Sequence, residues 1–158
     1  MAIEKVKEYF AKFGMESRVR EFDVSSATVE LAALALGCNE GKIAKSLSYM
    51  VNGQPIIIVV AGDVKVSNSK YKAEFATKAK MLSFDEAENL IGHRVGGVCP
   101  FAVNNGVKVY LDISLKQYDT VFPACGSSNS AIELTIEELE KYSNYERWVD
   151  VGQDKLEG

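Results

Sequence analysis

Three observations predict a mixed-sheet α/β or α+β domain. Two β-branched apolar runs, Ile43 to Val51 and Pro55 to Ala61, are separated only by Asn52-Gly53-Gln54. Asn-Gly supplies the positive φ values that a tight hairpin needs. Short, well-capped helical segments are scattered between the strands rather than alternating strictly with them, which argues against a doubly wound parallel sheet. The 158 residues are 47% hydrophobic, enough to bury a core without metals or disulfide staples, so one domain over residues 1–158 is expected.

Taken in order, Ile3, Val6, Phe10 and Phe13 mark one face of a first helix that Gly14 is placed to end. Arg18 to Phe22 is a weak strand. Thr28 caps a helix running through Val29, Leu31, Ala32, Ala35 and Leu36 to a stop at Gly37. The hairpin follows, with its second run as a central strand. Ser67 to Phe75 reads as helical, and Ser83-Phe84-Asp85-Glu86 is a capping box for a short helix closed by Gly92. Val107 to Leu111 alternates as a strand, and Val121-Phe122 and Ala131 to Leu134 suggest two more. Thr135-Ile136-Glu137-Glu138 caps a last helix ending near Tyr142, and Tyr145 to Val151 adds an edge strand.

Charge and cysteine content narrow the function classes. Eighteen basic against twenty-two acidic residues give a net charge of −4, so any polyanion must be held locally or with assistance. The lysines at 65, 70, 72, 78 and 80 form a solvated face or a phosphate patch. The longest apolar run, Pro55 to Ala61, is too short to span a bilayer, and no long apolar signal segment opens the chain. Three widely spaced cysteines fit reduced thiols, so a soluble cytoplasmic protein with no membrane partner is expected. There is no CxxC or Cys/His ligand cluster, and neither a metal nor a cofactor is expected.

Two features carry candidate chemistry. Gly96-Gly97-Val98-Cys99-Pro100 is a G-x-x-x-P loop, in which paired glycines let a ligand lie against backbone N–H groups while Pro100 fixes the far end. Lys45 lies in the strand run Ile43-Ala44-Lys45-Ser46-Leu47. It reads either as an edge-strand gatekeeper with a snorkelling side chain or as a cation aimed into a pocket. A lysine ordinarily titrates near pH 10.4, so acting as a neutral base would require a shift of about three units, or about 4 kcal/mol. The charged, positioning role is favoured on that ground.

Other candidates are weaker. Cys99 and the single histidine, His93, would make a thiol dyad, but each has an ordinary structural reading as a small buried residue and a helix-end cap. Asp112 either receives a ligand group or caps the turn at Ile113-Ser114. Gly126 and Ser127, in the small-polar stretch Ala124 to Ser130, belong to a plain loop or to the hydrogen-bonding rim of a pocket.

These segments, in this order and spacing, resemble the YbaK/ProX (EbsC) family. They are Ile43 to Leu47, Val95-Gly96-Gly97-Val98-Cys99-Pro100-Phe101, Tyr110-Leu111-Asp112, and Gly126 with Ile132-Glu133-Leu134, and the likeness covers a core of about residues 21–142. The resemblance implies an aminoacyl-tRNA deacylase fold, related to the editing domain of bacterial prolyl-tRNA synthetases, in which a mixed sheet partly closes around a pocket. It implies hydrolysis of the ester of mischarged tRNA, commonly cysteinyl- or alanyl-tRNA(Pro), without a metal. The family's functional lysine falls on Lys45 and its substrate loop on Gly96 to Pro100. The tRNA acceptor end is the implied partner, with recruitment through prolyl-tRNA synthetase as one route. Two departures bear on substrate identity: Glu21-Phe22-Asp23 stands where some members have histidine, and Ala102 where many have glycine. A non-catalytic module that holds a tRNA end or a small aminoacyl compound is the alternative. The expected geometry sets Lys45 and the glycine loop across one cavity.

Overall fold

In the computed structural model the hairpin forms as its turn chemistry requires. Strands β2 (Ile43–Val51) and β3 (Gln54–Ala61) pair antiparallel from Ala44↔Ala61 to Val51↔Gln54. Asn52 and Gly53 make the turn at φ 49° and 80°. The structure describes residues 2–154; Met1 and residues 155–158, the ends of the expected domain, lie outside the described residues.

Around this hairpin a mixed six-stranded sheet curls in the order β8-β6-β2-β3-β5-β9. The added strands are β5 (Lys108–Asp112), β6 (Thr120–Pro123), β8 (Leu134–Thr135) and β9 (Arg147–Val149). β2 pairs parallel with β6, β3 with β5, and β5 with β9. The near-continuous apolar sequence of β3 follows from burial on both faces. Ile57 and Val59 enter one core with Phe10, Phe101 and Leu139, while Ile56, Ile58 and Val60 enter a second with Tyr49 and Tyr71.

Among the described residues five α-helices surround the sheet: α1 (Ala2–Ala11), α2 (Val29–Leu36), α3 (Asn68–Phe75), α4 (Phe84–Glu86, running on into a π turn over Ala87–Ile91) and α5 (Ile136–Ser143). Their boundaries obey local chemistry. Thr28 and Ser67 accept from the amides of Leu31 and Lys70, and both expected capping boxes, at Ser83 and Thr135, are closed. Gly37 and Gly92 end their helices at φ 66° and 98°.

Tertiary pairing redraws two expectations. The run Ala131 to Leu134 is not one strand. Its first part, β7 (Ser130–Ile132), pairs with β1 (Val19–Glu21), and β8 pairs with β6 in a different sheet. A second short pair, β4 (Val64–Val66) with β10 (Gly152–Asp154), has no counterpart in the sequence reading. Three residues are too few to establish a period, and Gly152-Gln153-Asp154 contains no strand former.

Candidate functional site

The site begins as a gap in the sheet. On its outer edge β2 pairs with β6 only at Ile43 and Ala44, and farther along Met50 N–H donates to Lys80 (2.9 Å) and Leu82 N–H donates to Ser48 (3.1 Å). Between these two pairings the edge is open. A cavity of about 300 Å3 fills the opening, and six consecutive residues, Ile43 to Ser48, line it. Successive strand residues point to opposite faces, so a cavity that touches all six lies along the strand edge and reaches both faces of the sheet.

Lys45 and the glycine loop approach this gap from opposite faces. Lys45 shares a face with its partner Val60 and with Leu47 and Tyr49, on the side of the second core, and its Nζ donates to the Val64 carbonyl at 2.8 Å. The loop packs on the other face, where Cys99 and Phe101 are fully buried among Ile57, Val59 and Leu82. Lys45, Gly96 and Val98 line the same cavity. Gly96 holds φ 99°, a conformation that favours glycine. Gly97 closes the turn by donating its N–H to Arg94 (3.0 Å), and a Cβ there would sit 2.7 Å from the Ser127 nitrogen.

The remaining wall comes from α2, β6, β7 and the segment around Leu82. Thr28, Val29 and Ala32 bring the N-terminal end of α2 to the cavity, opposite Leu82 and Ala131. The partial positive charge of a helix start and the Lys45 ammonium therefore bias the pocket toward electron-rich groups. Met81, Phe84 and Val95 form an exposed apolar mouth. Sequence reasoning did not select these mouth residues, nor Ser46, whose hydroxyl is buried without a hydrogen-bond partner among the described residues. A serine beside a strand lysine was the available signal.

Other sequence candidates have architectural surroundings. Asp112 is fully buried; its Oδ1 accepts from Val151 N–H (2.7 Å) and Gly152 N–H (3.1 Å), and its Oδ2 from Ser114 N–H (3.0 Å). It caps the turn and ties the chain end to β5, and it does not line the cavity. Ser127 bonds the Asn129 and Ser130 side chains, and Gly126, at φ 92°, packs against the start of α1. This polar loop is a clamp. Ser26 donates to Ser128 O and Phe22 to Asn129 O, which fixes residues 22–28 against the cavity.

The structure does bring Cys99 and His93 together, with Sγ 3.6 Å from Nε2. Both side chains are buried, and the Phe101 carbonyl accepts from His93 Nε2 at 2.8 Å and from the thiol at 3.7 Å. Because a carbonyl only accepts, Nε2 carries the proton and cannot take one from sulfur. Burial pushes the Cys99 thiol up to about 12 and the His93 imidazole down, so both groups stay neutral. The pair braces the loop against the core. Among the described residues no cluster of His, Cys, Asp or Glu suits a metal, and no helix is long and apolar enough to cross a membrane.

Comparison with known proteins matches residues 23–142 to the aminoacyl-tRNA editing domain. The chain is 50% identical over 155 residues to the uncharacterized protein YwhH of Bacillus subtilis, covering 98% of this chain and 99% of that one. It is 26% identical over 109 residues to the proline–tRNA ligase of Streptococcus sanguinis, covering 68% of this chain but only 17% of the ligase. Among solved structures, a candidate trans-editing enzyme for prolyl tRNA synthetase superposes with a TM-score of 0.86 at 25% identity, covering 96% of this chain and 97% of that one. The mixed sheet, the edge cavity and the glycine loop are thus set within a family match covering most of the chain, and the chain belongs to the aminoacyl-tRNA editing domain family.

Proposed function

We propose that this protein is an aminoacyl-tRNA deacylase that acts in trans, hydrolysing the ester of mischarged tRNA, with cysteinyl- or alanyl-tRNA(Pro) as substrate. The observation that carries the reading is the shared cavity of Lys45, Gly96 and Val98 at the open edge of β2. The aminoacyl ester enters this cavity, and the 3′ nucleotide stays at the apolar mouth. Water attacks the ester carbonyl carbon and the bond to the ribose oxygen breaks; one of the water's protons passes to that oxygen, and the other leaves with the carboxylic acid, which ionises and releases it to solvent. Lys45, as an ammonium, and the loop peptide groups at Gly96 and Val98, which line the cavity, stabilise the charge that develops on the carbonyl oxygen. Donors of this kind supply about 10²- to 10³-fold each, and positioning supplies more, so an intrinsically labile ester needs no protein nucleophile.

A cavity of about 300 Å3 with alanine walls at Ala32, Ala44 and Ala131 suits small side chains and supports a size sieve. The net charge of −4 favours recruitment through a synthetase over strong binding to free tRNA. A panel of mischarged tRNAs tests the reading. Multiple turnovers at catalytic protein are expected, and Lys45→Ala should abolish them while the thermal transition stays nearly unchanged. Protection of the ester at stoichiometric protein, without turnover, would instead identify a binding module.

A further inference from the structure

The gap in β2 has a repeat of its own. In an antiparallel ladder residues alternate between those whose N–H and C=O both point to the partner strand and those whose groups both point away. Ser48 C=O and Met50 N–H point away from β3, because they bond Leu82 and Lys80. The β2–β3 register runs without interruption from Ala44 to Val51, so Ser46 also points away. Ala44, the next outward residue, is held by β6, and Ser48 by the Leu82 segment. Between them the Ser46 peptide N–H and C=O face the cavity, and neither has a hydrogen-bond partner among the described residues.

We infer that the aminoacyl group binds as a one-residue β-strand in this gap, exchanging two hydrogen bonds with the Ser46 backbone. The inference rests on the deacylase reading and specifies how that site holds its substrate. An α-aminoacyl ester carries an amine donor and a carbonyl acceptor on either side of one carbon. That is the pattern with which a residue in a closely spaced antiparallel pair meets its neighbour. The amine donates to Ser46 C=O, and the ester carbonyl accepts from Ser46 N–H. Directly opposed residues share a face of the sheet, so the substrate side chain falls beside the Ser46 hydroxyl and the alanine wall at Ala44. Recognition of the backbone in this way is indifferent to side-chain chemistry and leaves selection to size. The arrangement is strand addition reduced to its smallest unit.

Amide hydrogen exchange by NMR on the full chain tests this, using two non-hydrolysable probes. One is 3′-deoxy-3′-(L-alanylamino)adenosine; the other is the 3′-propionylamino compound, which lacks the α-amine. In the free protein the Ser46 amide should exchange much faster than those of Lys45 and Leu47, which face β3. The alanyl probe should slow Ser46 exchange at least about tenfold, and the propionyl probe should bind about tenfold more weakly, as expected for one lost hydrogen bond to a charged amine. Ser46→Pro removes the outward N–H without breaking a bond to β3, and should weaken the alanyl probe by a similar factor. Binding of the alanyl probe with Ser46 exchange unchanged, equal affinity for the two probes, or a Ser46 amide already protected in the free protein would overturn the inference and leave the deacylase reading standing. Failure of both probes to bind would overturn the deacylase reading and this inference together.

Discussion

The elbow at Asp112 and the open edge at Lys45-Ser46 are both polar features of central strands, and they differ in what has been left unsatisfied. At Asp112 three backbone amides saturate the carboxylate, in a site closed to solvent. At the edge of β2 the Ser46 peptide unit and hydroxyl lack hydrogen-bond partners among the described residues, and the cavity runs alongside them. Unpaired buried polar groups cost free energy, so a fold tolerates them where a ligand or water completes them. Saturation marks architecture, and an open valence beside a cavity marks a candidate site.

Substitutions on the two sides should break in opposite ways. The largest effect is expected for Lys45→Ala, which should lower deacylation by about 10³-fold or more with a loss of stability below about 1 kcal/mol; single-turnover rates and calorimetry check both halves. Asp112→Ala should do the reverse. It leaves three buried amides without an acceptor, for a cost of about 3 kcal/mol and a fall in Tm of about 10 °C, and any folded fraction should keep its specific activity. A folded Asp112→Ala protein without activity would break the comparison.

Gly97→Ala sharpens it, because this residue packs against the Ser127 backbone and stands between Gly96 and Val98, which line the cavity. A Cβ would press on the Ser127 backbone, so stability should fall by about 1–3 kcal/mol, and displacement of Gly96 and Val98 should lower activity as well. Urea midpoints and turnover, measured together, should move in the same direction. Cys99→Ser should cost about 1 kcal/mol and retain activity, and native protein should resist iodoacetamide, because the thiol is buried and pushed up to about 12. Rapid inactivation by alkylation would return the thiol to the mechanism.

The smallest effect lies far from both regions. A hydrogen bond from Arg18 holds Glu138 down to about 2. The folded state thus lowers this carboxyl below its unfolded value, so the stabilisation is present above about pH 4.5. It is lost as pH falls through 2. The pair is partly solvated, so Arg18→Ala should cost less than about 1 kcal/mol at neutral pH. Acid titrations of the two proteins should converge near pH 2.

Much of the fold was legible because local chemistry and tertiary demand agree. Asn52-Gly53 turns the hairpin, Thr28, Ser67, Ser83 and Thr135 cap their helices, and Gly14, Gly37 and Gly92 take positive φ where stops were expected. The strands that escaped, β4 and β10, and the division of Ala131 to Leu134 between two sheets, depend on partners distant in sequence. Asp112 offered a reader of residues both roles, with capping of the Ile113-Ser114 turn the favoured one; the Ser114 amide makes that cap, and only the fold brings Val151 and Gly152 to the same carboxylate.

By itself the sequence determined the hairpin, the helix boundaries and the glycine loop, since each is written in residues a few positions apart. Only the tertiary structure decided that β6 lets go of β2 after Ala44 and that the Leu82 segment takes hold again at Ser48. An absent strand leaves no mark in composition or period. The hydrogen bonds withheld there belong to residues that meet only once the chain has folded.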